Sequence, residues 1–143
     1  MNILVTGGTG FVGKALVTAL LSRGDSVTVL TRSIEKAQSI FPEKTPQFLT
    51  ALSTLKNLNA FDAVINLAGE PIFDKKWTVQ QKEKLRRSRI DLTQQLVQLI
   101  NQSEYPPALI SGSATGIYGN CGDEQITENT NPNTQFTAQL CID

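Results

Sequence analysis

The chain has 143 residues, 40% of them hydrophobic and 18% charged, which is the size and balance of one globular domain with a core of its own. Thirteen Lys and Arg offset thirteen Asp and Glu for a net charge of zero, which argues against a generic nucleic-acid binder or a polybasic membrane-surface protein. There is no histidine, which excludes imidazole base catalysis, histidine metal ligands and any Ser-His or Cys-His dyad within the chain.

In chain order, short apolar runs alternate with segments of helical period. This is the pattern of βαβ units around a parallel sheet. Ile3-Leu4-Val5 predicts a strand that ends in glycines. From Phe11 to Arg23 the apolar positions Val12, Ala15, Leu16, Ala19 and Leu20 fall at spacings of three and four, predicting one helix face, with Gly24 as its stop. Ser26 to Thr31 reads as a second strand, buried on both sides by its β-branched content, and a short helix is expected from Ile34 to Ile40. A weak strand near Gln47 to Leu49 and a helical turn around Leu52 to Leu58 precede a clear strand over Asp62 to Leu67. A long helical region is then predicted from about Thr78 to Gln102, with Leu85, Leu92, Leu96, Leu99 and Ile100 on one side. Pro106-Pro107 leads into a last strand, Ala108 to Ser111, which breaks into a glycine-rich run.

Five strands in this sequence predict an α/β fold: a Rossmann-type doubly wound parallel sheet of order 3-2-1-4-5. Ligands of such sheets lie beyond the carboxyl ends of the strands, at the switch between the first strand and the fourth. Gly7 to Gly13, Arg32, Leu67 to Glu70 and Ser111 to Tyr118 all fall at those ends.

Thr6-Gly-Gly-Thr-Gly-Phe-Val-Gly13 follows the first strand directly and opens the first helix. In that context Gly7 permits a tight turn, Gly10 lets the backbone approach a pyrophosphate, and Gly13 lets helix pack on strand. At the end of the second strand an NAD-preferring site usually places an acid on the ribose, whereas this chain has Leu30-Thr31-Arg32-Ser33. An arginine fork there suits a 2′-phosphate, so NADP is the expected cofactor, with NAD second; the competing reading is an ordinary surface arginine.

The glycine turn, the strand end Asn66-Leu-Ala-Gly69 and the run Ser111-Gly-Ser-Ala-Thr-Gly-Ile-Tyr-Gly119 together resemble the short-chain dehydrogenase/reductase superfamily in its extended NAD-dependent epimerase/dehydratase branch. Asn66-Leu-Ala-Gly-Glu-Pro71, Trp77 and Ser88-Arg89 narrow the likeness to the "epimerase family protein" group of atypical members. It extends over the whole chain. The resemblance implies that Gly7, Gly10, Phe11, Val12 and Gly13 hold the pyrophosphate. It further implies that Thr31 and Arg32 meet the adenosine ribose and that Leu67 and Ala68 line its adenine side through backbone groups. Ser113 matches the catalytic Ser or Thr of the branch, and Arg89, with Glu83 after it, is a candidate for cofactor contact.

One departure matters. The superfamily's proton relay is Tyr-x-x-x-Lys, the lysine lowering the tyrosine pKa. Four residues after Tyr118 stands Gly122, in what reads as loop, and the helix expected to carry the relay holds Phe136 and Leu140 at its two positions. No lysine follows Lys84. Two readings of function stay open. One is an epimerase-like NADP(H)-dependent oxidoreductase acting on a nucleotide sugar or small carbonyl compound, with Ser113 polarising the substrate and Tyr118 or Glu70 as an atypical donor. The other is a non-catalytic, dinucleotide-binding regulatory protein.

The remaining features bound the setting. Lys75, Lys76, Lys82, Lys84, Arg86, Arg87 and Arg89 form a basic run that reads either as a solvated helix face or as an attractor of anions, and Glu70 either as a crevice carboxylate or as a loop support. Cys121 and Cys141 are expected as reduced thiols, with no metal. No basic leader and no run of about 20 apolar residues occur, so a cytoplasmic protein is expected, with a small-molecule substrate and neither membrane nor nucleic acid as partner. Family members run to about twice this length. Residues 1–143 are therefore expected to be one NADP-binding domain, the N-terminal part of a longer fold whose substrate-binding part lies beyond it.

Overall fold

A computed structural model describes residues 1–42 and 45–143, in two compact units, Met1–Ser111 and Gly112–Asp143. The first unit carries the sheet. Its elements are β1 (Asn2–Thr6), α1 (Phe11–Arg23), β2 (Ser26–Leu30), α2 (Ile34–Ile40), β3 (Gln47–Leu49), a 3₁₀ turn at Leu52–Thr54, β4 (Ala63–Asn66), α3 (Val79–Arg87), α4 (Ile90–Asn101) and β5 (Ala108–Ser111). The strands are all parallel and stand in the order β3-β2-β1-β4-β5, as the alternation of strand and helix predicted.

The period of two along β1 builds both faces of the sheet. Ile3 and Val5 turn into one buried cluster with Val17 and Leu20 of α1 and Val27 and Val29 of β2. Leu4, between them, turns into the opposite cluster with Val64 of β4 and Leu96 and Leu99 of α4. With helices on both faces the central strand is apolar from Ile3 to Val5, and only Thr6, at its carboxyl end, brings a polar side chain into full burial.

Two helices differ from the prediction. The buried face of α1 is Gly13, Val17 and Leu20, while Val12 is exposed. The helix is rotated away from the predicted stripe because Gly13 must lie against the backbone of Gly7 and Gly8. The helical region predicted from about Thr78 to Gln102 is two helices, α3 and α4, broken at Ser88 and Arg89. The Ser88 hydroxyl donates to the Leu85 carbonyl at 2.8 Å and accepts from the Glu70 N–H at 2.9 Å. A hydroxyl that bonds both its own helix and a distant loop bends the chain there.

The second unit, Gly112–Asp143, consists of a 3₁₀ turn at Thr115–Tyr118, a polar loop and α5 (Phe136–Ile142), which packs on the turn. The predicted loop at Gly116–Gly119 is this turn. Its exit at Gly119 has φ 71°, and a Cβ there would meet Cγ of Asn133 at 2.7 Å. The Asn133 N–H in turn donates to the Ile117 carbonyl at 2.8 Å.

Candidate functional site

The turn between β1 and α1 is built for backbone to approach backbone. Gly7 has φ 67°, and a Cβ on it would stand 2.6 Å from the Leu67 carbonyl carbon and 2.8 Å from the Ala68 nitrogen. A Cβ on Gly13 would run into the Gly7 carbonyl oxygen. Neither position tolerates a side chain, because the neighbours are main chain and cannot swing aside. Gly8, which sequence reasoning did not single out, is hemmed in by a side chain instead: its Cβ would meet Cγ1 of Val29 at 2.9 Å.

Gly10 is different. Its φ of −76° is open to any residue, its N–H donates to the Gly7 carbonyl at 3.0 Å, and a Cβ there would have one near neighbour, that same carbonyl at 3.2 Å. It is the N-cap of α1, no side chain caps the helix, and the first turn carries no acid. Phe11 and Val12, which begin that turn, are exposed. Unbonded N–H groups at a helix start, with space in front, are a site for anionic oxygen. The turn therefore fits a dinucleotide pyrophosphate: Gly7, Gly8 and Gly13 shape it, and Gly10 leaves the room a side chain would fill.

A hydrogen-bond chain crosses the switch point. The buried Thr6 hydroxyl donates to the Asn66 carboxamide oxygen at 2.6 Å and accepts from the Ala68 N–H at 3.2 Å. The Asn66 amide donates to the hydroxyls of Thr93 and Ser111 at 3.0 and 3.3 Å. The Leu67 N–H donates to the Thr6 carbonyl at 3.2 Å. The backbone of Leu67 and Ala68 is thereby fixed beside the glycine turn. Thr6 and Thr93 were not among the predicted site residues; Thr6 is a hydroxyl at the end of the apolar run Ile3-Leu4-Val5, while Thr93, inside α4, has no such signal.

At the end of β2, the Thr31 hydroxyl spans its neighbour, donating to the Ser33 carbonyl at 3.1 Å and accepting from the Ser33 N–H at 3.3 Å. The Ser33 hydroxyl accepts from the Lys36 N–H at 3.4 Å and caps α2. Arg32, between them, is exposed and has no hydrogen-bond or ion-pair partner among the described residues. The local turn presents this arginine outward.

Beyond β4, Glu70 is a support of the loop. Its carboxylate pairs with Lys84 at 3.0 Å and Lys75 at 3.4 Å, and the Lys84 hydrogen bond, ahead of the Lys75 one, holds its pKa below the ordinary carboxylate value. An ionised carboxylate between two ammonium groups is a poor proton donor. Arg89 is half-buried and donates to the Glu70 carbonyl at 3.1 Å, the Leu85 carbonyl at 3.3 Å and the Ser88 hydroxyl at 3.2 Å, with its guanidinium against Gly69. It ties α3 to the crevice wall. Glu83 pairs with Arg87 at 2.7 Å on the exposed side of α3. A depression of about 430 Å³ on that helix, lined by Gln80, Glu83, Lys84, Arg87 and Ser88, includes none of the predicted dinucleotide contacts except Glu83.

In the second unit, Ser113 is exposed just before the 3₁₀ turn, and Tyr118 ends that turn half-buried. Gly122, four residues on, has φ 59° and lies in the loop, while Phe136 and Leu140 lie on α5. Among the described residues no group of three or more His, Cys, Asp or Glu could hold a metal, and no helix is long and apolar enough to cross a membrane.

The comparisons agree with this geometry. The model of the NAD dependent epimerase/dehydratase family matches residues 3–141. The chloroplastic "Epimerase family protein SDR39U1 homolog" of Arabidopsis thaliana is 39% identical over 147 residues, covering 99% of this chain and 42% of the relative. The "Epimerase family protein YfhF" of Bacillus subtilis is 36% identical over 131 residues, covering 91% and 43%. Among solved structures, the human epimerase family protein SDR39U1, crystallised with NADPH, superposes with a TM-score of 0.82 at 29% identity, covering 98% of this chain and 46% of that one. UDP-glucuronic acid 4-epimerase from Bacillus cereus, in complex with NAD, superposes at 0.77 with 26% identity, covering 99% and 49%. The chain thus spans less than half the length of these relatives. Its family model, strand order and glycine turn place it, plainly, in the NAD-dependent epimerase/dehydratase family, with that family's NAD(P)-binding Rossmann fold.

Proposed function

We propose that the chain binds NADP(H) in preference to NAD(H), and that in the whole protein this site serves an epimerase-like oxidoreductase acting on a small carbonyl compound or nucleotide sugar. The observation that carries the cofactor choice is Arg32, exposed and unpaired among the described residues at the carboxyl end of β2, where Thr31 and Ser33 brace the turn and Leu30 to Ser33 include no acid. A guanidinium there favours a ribose carrying a 2′-phosphate. The NADPH in the human relative's crystal supports the same choice.

In this reading the α1 N-terminus at Gly10 to Gly13 binds the pyrophosphate, Arg32 the 2′-phosphate, and the backbone of Leu67 and Ala68 the adenosine side. A bound nicotinamide supplies hydride transfer. Ser113 orients the substrate by hydrogen bonding its hydroxyl or carbonyl oxygen. Phe136 and Leu140 can neither donate a proton nor depress a tyrosine pKa, and this favours the second reading, a dinucleotide-binding protein without turnover. The two are separated by incubating the full-length protein with NADPH and a panel of carbonyl compounds: Ser113-dependent oxidation of NADPH supports the enzyme, and tight binding without oxidation of any member supports the other.

A further inference from the structure

Thr6, Asn66 and Ser111 are register partners on one rung across β1, β4 and β5, so their side chains leave the same face of the sheet, the face that α4 covers. Their hydrogen bonds have a direction, and burial fixes it. Thr6 is fully buried, its hydroxyl oxygen takes the Ala68 N–H at 3.2 Å, and the Asn66 carboxamide at 2.6 Å is the one acceptor for its proton among the described residues. The Asn66 oxygen therefore faces Thr6, because the reversed amide would leave a buried hydroxyl proton unpaired.

With its oxygen on that side, the Asn66 amide nitrogen gives its two protons to the hydroxyls of Thr93, at 3.0 Å, and Ser111, at 3.3 Å. Both hydroxyls are thereby used as acceptors, and their own protons have no hydrogen-bond partner among the described residues. The two differ in exposure. Thr93 is half-buried on α4, whereas Ser111 is exposed at the carboxyl end of β5. Asn66 thus presents Ser111 at the ligand edge of the sheet as a hydrogen-bond donor.

Its place across the sheet says which half of a dinucleotide it meets. Arg32 follows β2, on one side of β1, and Ser111 ends β5, two strands away on the other side, about 10 Å from the β1 axis at the usual strand spacing. A dinucleotide with its pyrophosphate over the turn between β1 and α1 and its 2′-phosphate on Arg32 extends its nicotinamide half the opposite way, over β4 and β5.

We infer that the Ser111 hydroxyl donates a hydrogen bond to an acceptor oxygen of the nicotinamide riboside, and that the Thr6–Asn66 pair holds it in that role. This deepens the cofactor reading above and rests on it. Ser111 is a contact to the reactive half of the cofactor, and Asn66 a positioning residue that acts through it.

The test is calorimetric titration of the protein, of Ser111→Ala and of Ser111→Thr with two ligands: NADP⁺, and adenosine 2′,5′-bisphosphate, which carries the 2′-phosphate and no nicotinamide. Ser111→Ala should weaken NADP⁺ about three- to tenfold, the effect of one hydrogen bond, and leave the bisphosphate within about twofold of the parent. Ser111→Thr, which keeps the hydroxyl, should restore the affinity for NADP⁺. A merely structural role for Ser111 would shift both ligands together. Unchanged NADP⁺ affinity in Ser111→Ala, an equal loss for both ligands, or a Ser111→Thr as weak as Ser111→Ala overturns the inference and leaves the cofactor reading standing. A parent that binds neither ligand overturns the cofactor reading and this inference with it.

Discussion

The guanidinium of Arg89 occupies the space that a side chain on Gly69 would need, its Cζ lying 2.8 Å from the position of a Cβ there. Together the two residues close the wall of the crevice beyond β4, since the same guanidinium bonds the Glu70 and Leu85 carbonyls. Arg89→Ala should lower stability by about 1.5 to 3 kcal/mol, the range for hydrogen bonds to a charged group. Gly69→Ala, whose obstacle is the movable end of a long side chain, should cost about 1 kcal/mol or less. Urea unfolding of both variants checks the order, and an Arg89→Ala midpoint equal to that of the parent would refute it.

The glycines of the turn should separate folding from binding. At Gly13 a Cβ meets the main chain of Gly7 and Gly8, so Gly13→Ala should unfold the protein or cost several kcal/mol, about the size of a severe steric defect. At Gly10 the backbone is ordinary and only the Gly7 carbonyl is near. Gly10→Val should keep the circular dichroism of the parent and lose dinucleotide binding. A folded Gly13→Ala with parental stability, or a Gly10→Val that binds NADPH, would place the pyrophosphate elsewhere.

Much of this was legible in the residues, because strand runs ending in glycine and helices of regular period report the sheet order and its ligand edge directly. What was not legible depended on partners far away in sequence. The break at Ser88-Arg89 has no glycine or proline to announce it, and the apolar period of Leu85, Leu92 and Leu96 runs across it; both residues bond Glu70, on another segment. The rotation of α1 was hidden for a related reason: Ala15 and Ala19 fit either face, and only contact of Gly13 with the turn decides. The pairing of Thr6 with Asn66, 60 residues apart, carries no local signal at all.

Acid should weaken the first unit in a way that two carboxylates explain. Asp25 is held below its ordinary pKa by its hydrogen bonds to Arg23 and then to the Met1 ammonium, and Glu70 by Lys84 and then Lys75. A carboxylate with a lower pKa folded than unfolded contributes fully above the unfolded value, about 4, and loses that contribution as pH falls through the folded one. Stability should therefore be flat from neutral pH to about 5 and decline below about 4. Asp25→Asn and Glu70→Gln should each make the decline shallower. An unchanged acid slope in both variants would show that these pairs are indifferent to folding.

Tyr118 should matter little as a proton donor. Gly122 stands where a lysine would be needed, and residues 112–143 hold no cation of their own. A phenol without a cation beside it is a weak acid-base group near neutrality. If the full-length protein turns over a carbonyl substrate, Tyr118→Phe should keep its rate within about tenfold, since loss of a true general acid costs about 10² to 10⁴. A thousandfold loss with NADPH affinity intact would make Tyr118 the donor.

The central claim is that Arg32 turns this Rossmann domain toward the phosphorylated dinucleotide, and calorimetric titration of the unmutated protein and Arg32→Asp with NADPH and NADH tests it most directly. The account predicts at least tenfold tighter binding of NADPH by the parent, about 1.4 kcal/mol, and a reversed order in the variant, where a carboxylate repels the 2′-phosphate and accepts the ribose hydroxyl. Equal affinities in the parent, or a preference untouched by the substitution, would contradict it.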